Sequence, residues 1–391
     1  MLKANFSSSK SVIVYRYGTD YTVYLSSLGY HVRMQYERKN IQQMAGYVPG
    51  EQPTDAHTIK LNTNENPYPP PAAVMAALGE VQPEDLRRYP SPAAAGFRDA
   101  AARCHGVSSE QIVTTNGGDE LIRLALTTFV EPGQPVGIAD PSYSLYLTAA
   151  AIHGSPVVKA KLTDHWQLPT DFAQQMNAAG VALTLVVNPH APSGQLLKKD
   201  TIAALADALD GVLMVDEAYV DFADPSHNLV PLIKQHNNLL ILRTLSKGYS
   251  LAGLRLGYGI GPTNLITPIA TKTRDSFSVD AIADRVGATA LAHRESFSAG
   301  WAMVRENREK LVGELRKRGF TVPDSQTNFC LARVPNQATQ SAHTLYLALK
   351  EAGILVRYFD TPALNNCLRI TIGTAEQNAR LLAAIDAASH E

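Results

Sequence analysis

Between Gln111 and Gly261, apolar runs of strand length alternate with stretches of helical periodicity, and no other feature narrows the possible folds as far. Gln111–Thr114 leads into a helical pattern from Gly118 to Phe129, and Pro135–Ala139 leads into Ser142–His153. Val181–Val187 stops at a Pro/Gly-rich loop, Thr201–Leu209 is helical, and Val212–Val215, Leu239–Leu242 and Leu254–Ile260 are further apolar runs. Near-continuous apolar strands alternating with helices predict a mostly parallel sheet covered on both faces. Such sheets bind ligands beyond the carboxyl ends of their strands, so the residues just past each run are the ones to search. After about Ala290, a long amphipathic pattern from roughly Arg294 to Arg318 is followed by Thr321–Leu331, Ala342–Gly353, Ile354–Arg357, Cys367–Thr371 and Gln377–Ala388, the sequence of a small α+β domain.

A chain of 391 residues can hold one large core and a satellite domain. We expect an unstructured extension over 1–33, an arm over 34–75 that joins the small domain, a large domain over 76–290, and a connecting helix with the small domain over 291–391. Residues 1–33 hold five of the 16 tyrosines and the Ser7–Ser9 patch. Their apolar run Val12–Tyr15 is broken by Arg16, too short for a signal peptide, and Met34 opens what reads as an ordinary protein start. Pro67, Pro69, Pro70 and Pro71 stiffen the arm. A net charge of −1 with no basic block argues against a nucleic-acid partner, and the longest apolar runs are too short for a membrane span. Three scattered cysteines without CxxC spacing indicate neither a disulfide framework nor a metal site, which fits a reducing cytoplasm.

The candidates for chemistry sit where the sheet would place a ligand. Lys247 lies in RTLSKGYSLAGLRLGYGIG, just past the Leu239–Leu242 run. An ammonium is costly there, but a neutral amine poised to form a Schiff base is not, the plain alternative being a snorkelling structural lysine. Asp216, in DEAY after Val212–Val215, needs a cationic partner such as a pyridinium nitrogen; a Mg²⁺ site is the rival, weakened by the missing phosphate loop. Asn188 in NPHAPSG and Tyr219 could hold an oxygen of the same ring, and Tyr143 in DPSY could stack on it. The Asn116-Gly117-Gly118-Asp119 turn opens a helix and suits a phosphate, with Ser246 and Arg255 able to complete the cup, or it is simply a helix cap. Gly257, Gly259 and Gly261 open no clear helix, so a dinucleotide fingerprint is rejected. Arg357 and Arg369, on apolar strands of the small domain, want an anion or an internal salt bridge.

Taken together, TLSKGYSLAGLRLGYG, DEAY, NPHAPSG and DPSY resemble the fold-type-I aminotransferases dependent on pyridoxal phosphate. Tyr47 in YVPGEQP, Asn64 in LNTNENP, Tyr89 in RRYP, the GGDE turn, Asn328 in SQTNF, and VRYF and LRITIGT make the chain similar to the histidinol-phosphate aminotransferases, from about Met34 to the end. The resemblance implies that Lys247 carries the cofactor and later moves the substrate Cα proton. Asp216 would pair with the pyridinium, Asn188 and Tyr219 hold the ring oxygen, Tyr143 stacks, and Gly118, Asp119, Ser246 and Arg255 bind the phosphate. Tyr89 would reach that phosphate from the second subunit of a homodimer, and Arg357 and Arg369 would take the substrate anion with Tyr47, Asn64 and Asn328 nearby. The implied substrates are L-histidinol phosphate and 2-oxoglutarate; an aromatic aminotransferase and a threonine-phosphate decarboxylase of the same fold stay open. His190 and Ala191 depart from the commoner NPNNPTG loop and leave its contacts unsettled.

Overall fold

A computed structural model describes residues 36–53, 55, 57–335 and 340–389, so the expected extension over 1–33 lies outside the described residues. The chain divides into units at residues 43 and 44. The first contributes only the short helix Lys39–Gln43 among its described residues; the account below concerns the second.

Twelve strands follow in order: β1 Ile59–Lys60, β2 Ile112–Thr115, β3 Val136–Asp140, β4 Val157–Lys161, β5 Leu183–Val187, β6 Val212–Asp216, β7 Leu239–Thr244, β8 Gly257–Ile260, β9 Phe329–Arg333, β10 Ile354–Leu355, β11 Arg357–Tyr358 and β12 Cys367–Thr371. Seven form the main sheet in the order β2-β8-β7-β6-β5-β3-β4. It is parallel from β4 through β7, while β8 runs antiparallel to both β7 and β2. Alternate residues enter two different cores. Leu183, Leu185, Met214, Leu240 and Leu242 pack with helices Gly117–Phe129 and Leu145–His153; Val186, Leu213, Val215, Leu239 and Ile241 pack with Ala95–His105, Lys199–Ala208 and Ala281–Ala292. Burial on both sides is what the unbroken apolar runs require.

A three-stranded antiparallel sheet, β11-β12-β9, makes the small domain, and β1 of the arm pairs parallel with β10. This is the fold-type-I architecture the resemblance implied, a large mostly parallel sheet with a small antiparallel one. Details differ from the sequence reading. Strand β4 carries lysines at alternate positions, Lys159 and Lys161, and its broken apolar pattern hid it. The Leu254–Ile260 run is interrupted by Arg255 at φ 55°, so only Gly257–Ile260 is strand. The connecting helix opens with a 3-10 turn, Arg294–Phe297, before Ser298–Lys317. Among the described residues no helix is long and apolar enough to cross a membrane.

Candidate active site

Loops at the carboxyl ends of β3, β5, β6 and β7, together with the start of helix Gly117–Phe129, wall a cavity of about 610 Å³. Asn62–Asn64 of the arm, Arg357 and Arg369 of the small sheet, and Phe359 just past β11 also line it.

Lys247 lies in the turn that follows β7, and its Nζ donates to the carbonyl of Thr63 at 2.8 Å. The residue keeps some surface toward the cavity, but its amine sits deep. Burial, then the nearby Arg369 guanidinium, lower its pKa from 10.5 to about 8. Asp216, the last residue of β6, is buried; Tyr146 donates to its Oδ2 at 2.8 Å and the Ala218 N–H to its Oδ1 at 3.0 Å. Burial nonetheless raises its pKa to about 6, the mark of a carboxylate short of a cation. Lys247 and Asp216 both line the one cavity.

One part of the cavity offers groups that could hold a phosphate. Gly118 and Asp119 occupy the first turn of a thirteen-residue helix, whose leading N–H groups have no intrahelical acceptor. Ser246 and Arg255 line the cavity with them. Arg255, in its left-handed conformation, brings Nη2 within 3.5 Å of Asp119 Oδ2. A Cβ on Gly117 would lie 2.7 Å from that guanidinium nitrogen, and Gly117 itself has φ +76°. Tyr143 presents its ring to the cavity beside Asp119, with its hydroxyl 3.4 Å from Asp119 Oδ1.

The small sheet brings two arginines to the same cavity. Arg357 and Arg369 are register partners across β11 and β12, so two like charges stand directly opposite one another. Among the described residues neither has a carboxylate within 4.0 Å, so the internal salt bridge considered from sequence is not there. Arg369 lies over the rings of Phe329 and Phe359, donates once to the Asn62 carbonyl at 3.0 Å, and has a buried Nε with no acceptor. Burial and Arg357 pull its pKa down. Two guanidinium forks without a carboxylate partner could hold an anion.

Tyr47 and Tyr219 also line the cavity, and Asn64, left-handed at φ 58°, donates to the Tyr219 hydroxyl at 3.0 Å. Three candidates do not reach the lining. Asn328 spends its amide on the Asn64 carbonyl at 2.9 Å and so acts one residue removed. Asn188 exchanges two hydrogen bonds with Leu197, closing its own loop. Tyr89 is 83% exposed and stacks on Phe277. Sequence reasoning missed Tyr146, which lies in the first turn of helix Leu145–His153, just past Tyr143 in the preceding loop. It also missed Lys159, which faces Asp140 at 3.5 Å on the cavity wall from the unrecognised β4.

The fold and this constellation define an aminotransferase-type site, and the comparisons agree. The sequence profile of aminotransferase class I and II matches residues 56–385, and the chain belongs to that family. Histidinol-phosphate aminotransferase 1 of Trichormus variabilis is 42% identical over 351 residues, covering 90% of this chain and 98% of its own length. The Rhodopirellula baltica histidinol-phosphate aminotransferase is 39% identical over 345 residues, covering 88% and 93%. Within the family the chain therefore groups with the histidinol-phosphate aminotransferases. The crystal structure of the Sinorhizobium meliloti histidinol-phosphate aminotransferase in complex with pyridoxal-5'-phosphate superposes with a TM-score of 0.84 at 23% identity, covering 92% of this chain and 99% of that one.

Proposed function

We propose that the chain binds pyridoxal phosphate and transfers the amino group of L-histidinol phosphate to 2-oxoglutarate, yielding imidazole-acetol phosphate and glutamate. One observation carries the reading: a lysine of depressed pKa and a buried acid without a cation face a single cavity also lined by two arginines in register that lack a carboxylate partner. Relatives of that name at about 40% identity support the substrate pair.

The residues present suit the cofactor, since a pyridinium would supply the cation Asp216 lacks and a phosphate would take the open N–H groups at Gly118 and Asp119. When bound, pyridoxal phosphate supplies an aldehyde carbon and an electron-accepting ring. Gly118, Asp119, Ser246 and Arg255 would hold the phosphate, Asp216 would favour a protonated ring nitrogen, and Tyr143 would stack on the ring. Tyr219 would donate to the ring oxygen, and Asn188, to which the resemblance gives the same oxygen, would shape the loop beside it through its two hydrogen bonds with Leu197. Lys247 would be the amine that holds the aldehyde carbon and, when free, the base that moves the proton at the substrate Cα. Arg357 and Arg369 bind the substrate phosphate in one half-reaction and the keto-acid carboxylate in the other, because each guanidinium is a planar fork that takes either. Tyr47, Asn64 and Asn328 complete that part of the site. Tyr89 serves the second subunit of a homodimer, which its exposure supports. Domain limits at 34–75, 76–290 and 291–391 and a cytoplasmic location belong to the same reading; the cysteines, all free, are consistent with the latter.

Substrate profiling tests it. Histidinol phosphate should be used at least about tenfold more efficiently than phenylalanine or tyrosine, since these offer the arginines only a singly charged carboxylate in place of a phosphate dianion. Equal efficiency would sink the assignment, and carbon dioxide release from O-phosphothreonine would replace it with a decarboxylase.

A further inference from the structure

Strands β3 and β5 pair only from Val136↔Leu183 to Ile138↔Leu185. Beyond that point β3 stays beside β4, ending at Asp140↔Lys161, whereas β5 stays beside β6, ending at Val187↔Asp216. Their onward connections leave in opposite directions, so the sheet parts here beneath the cavity. Among the described residues no ladder hydrogen bond crosses the gap.

A side chain crosses it instead. His190, buried in the loop after β5, has Nε2 3.0 Å from the Pro141 carbonyl oxygen and Nδ1 2.8 Å from Ser193 Oγ. The partners fix its tautomer: a carbonyl only accepts, so Nε2 carries the proton and Nδ1 accepts from the Ser193 hydroxyl. The Ser193 oxygen in turn accepts the Gln195 N–H at 3.2 Å. Both ring nitrogens are used, one inside the loop and one across the gap.

We propose that His190 is a positioning residue, a strut that sets the distance between the β3 and β5 loops and thereby aligns Tyr143 and Asp216 toward the cofactor. Pro141 leads directly to Tyr143, whose ring faces the cavity, and to Tyr146, whose hydroxyl holds Asp216 at 2.8 Å. On the near side, Ala191 and Pro192 line the same cavity. A displaced Pro141 carbonyl therefore shifts the stacking ring and the acid's donor together. Burial lowers the imidazole pKa to about 4, so the strut stays neutral at ordinary pH. The inference rests on the reading that this cavity takes pyridoxal phosphate.

Two variants separate its two contacts. In His190→Asn the shorter amide can keep Ser193 but cannot reach Pro141; in His190→Gln the longer amide can keep Pro141. Apo-protein titrated with pyridoxal phosphate, followed by absorbance, should bind roughly three- to tenfold more weakly in the Asn variant, with kcat falling more than KM. The Gln variant should recover both, while the two apo variants melt together. Parent-like behaviour of His190→Asn, or equal impairment of His190→Gln, overturns the inference alone. A parent chain that fails to bind pyridoxal phosphate overturns the functional reading and this inference with it. Independently of any variant's folding, ¹⁵N-histidine spectra of the parent must show His190 protonated at Nε2 from about pH 5 to about pH 9. A proton on Nδ1 would overturn the proposal.

Discussion

Lys247 combines a position the sequence reveals with a reactivity it does not. Its place after an apolar run is legible, but the Arg369 guanidinium that helps depress its pKa comes from a strand of the small domain. With a folded value of about 8 against an ordinary 10.5, the amine should capture pyridoxal phosphate at a rate that rises with pH around a midpoint near 8. Arg369→Met should move that midpoint upward by removing a like charge. Stopped-flow absorbance of apo-protein mixed with the cofactor measures both, and a midpoint near 10.5 in the parent would contradict the burial argument. The sign of the stability effect is fixed too. Between about 8 and 10.5 the unfolded chain holds a proton that the native amine has lost, so apo-protein gains stability as pH rises through that window.

At the scale of the element, the proposed phosphate cup depends on a helix seated against a strand with nothing between them. A Cβ on Gly257 of β8 would lie 2.6 Å from the carbonyl carbon of Gly117, a backbone atom that cannot swing aside. Gly257→Ala should therefore cost about 1–3 kcal/mol of stability by overpacking. It should also weaken cofactor binding, because the displaced atoms belong to the turn bearing Gly118 and Asp119. Thermal melts and cofactor titration should move together; a normal melt with normal affinity would show that the helix tolerates the shift. The Gly257-x-Gly259-x-Gly261 repeat serves close packing: Gly259 likewise faces Val113 and Leu121.

For the whole molecule, the site draws on the arm, the large sheet and the small sheet, and our reading adds Tyr89 from a second subunit. If each site contains Lys247 of one subunit and Tyr89 of the other, two defective variants should repair one another. Lys247→Ala should be inactive and Tyr89→Ala should bind cofactor weakly. After dissociation and remixing, each mixed dimer then regains one intact site, raising activity at limiting cofactor above either parent preparation. Absence of any gain in confirmed mixed dimers would place Tyr89 outside the site.

Local chemistry was written openly in the chain: unbroken apolar runs specified a sheet buried on both faces, and polar residues at their ends marked where a ligand binds. Lys247, Asp216 and the glycine turn needed no tertiary knowledge to be noticed, because each is costly or unusual where it stands. Relations between distant segments were decided only on folding. The register opposing Arg357 to Arg369, the use of Asn328 to brace Asn64, the hydroxyl of Tyr146 on Asp216, and the parting of β3 from β5 that His190 bridges all join residues through space. A sequence records which groups carry charge and hydrogen-bonding capacity; packing alone determines which of them meet, and hence which remain unsatisfied and ready for a ligand.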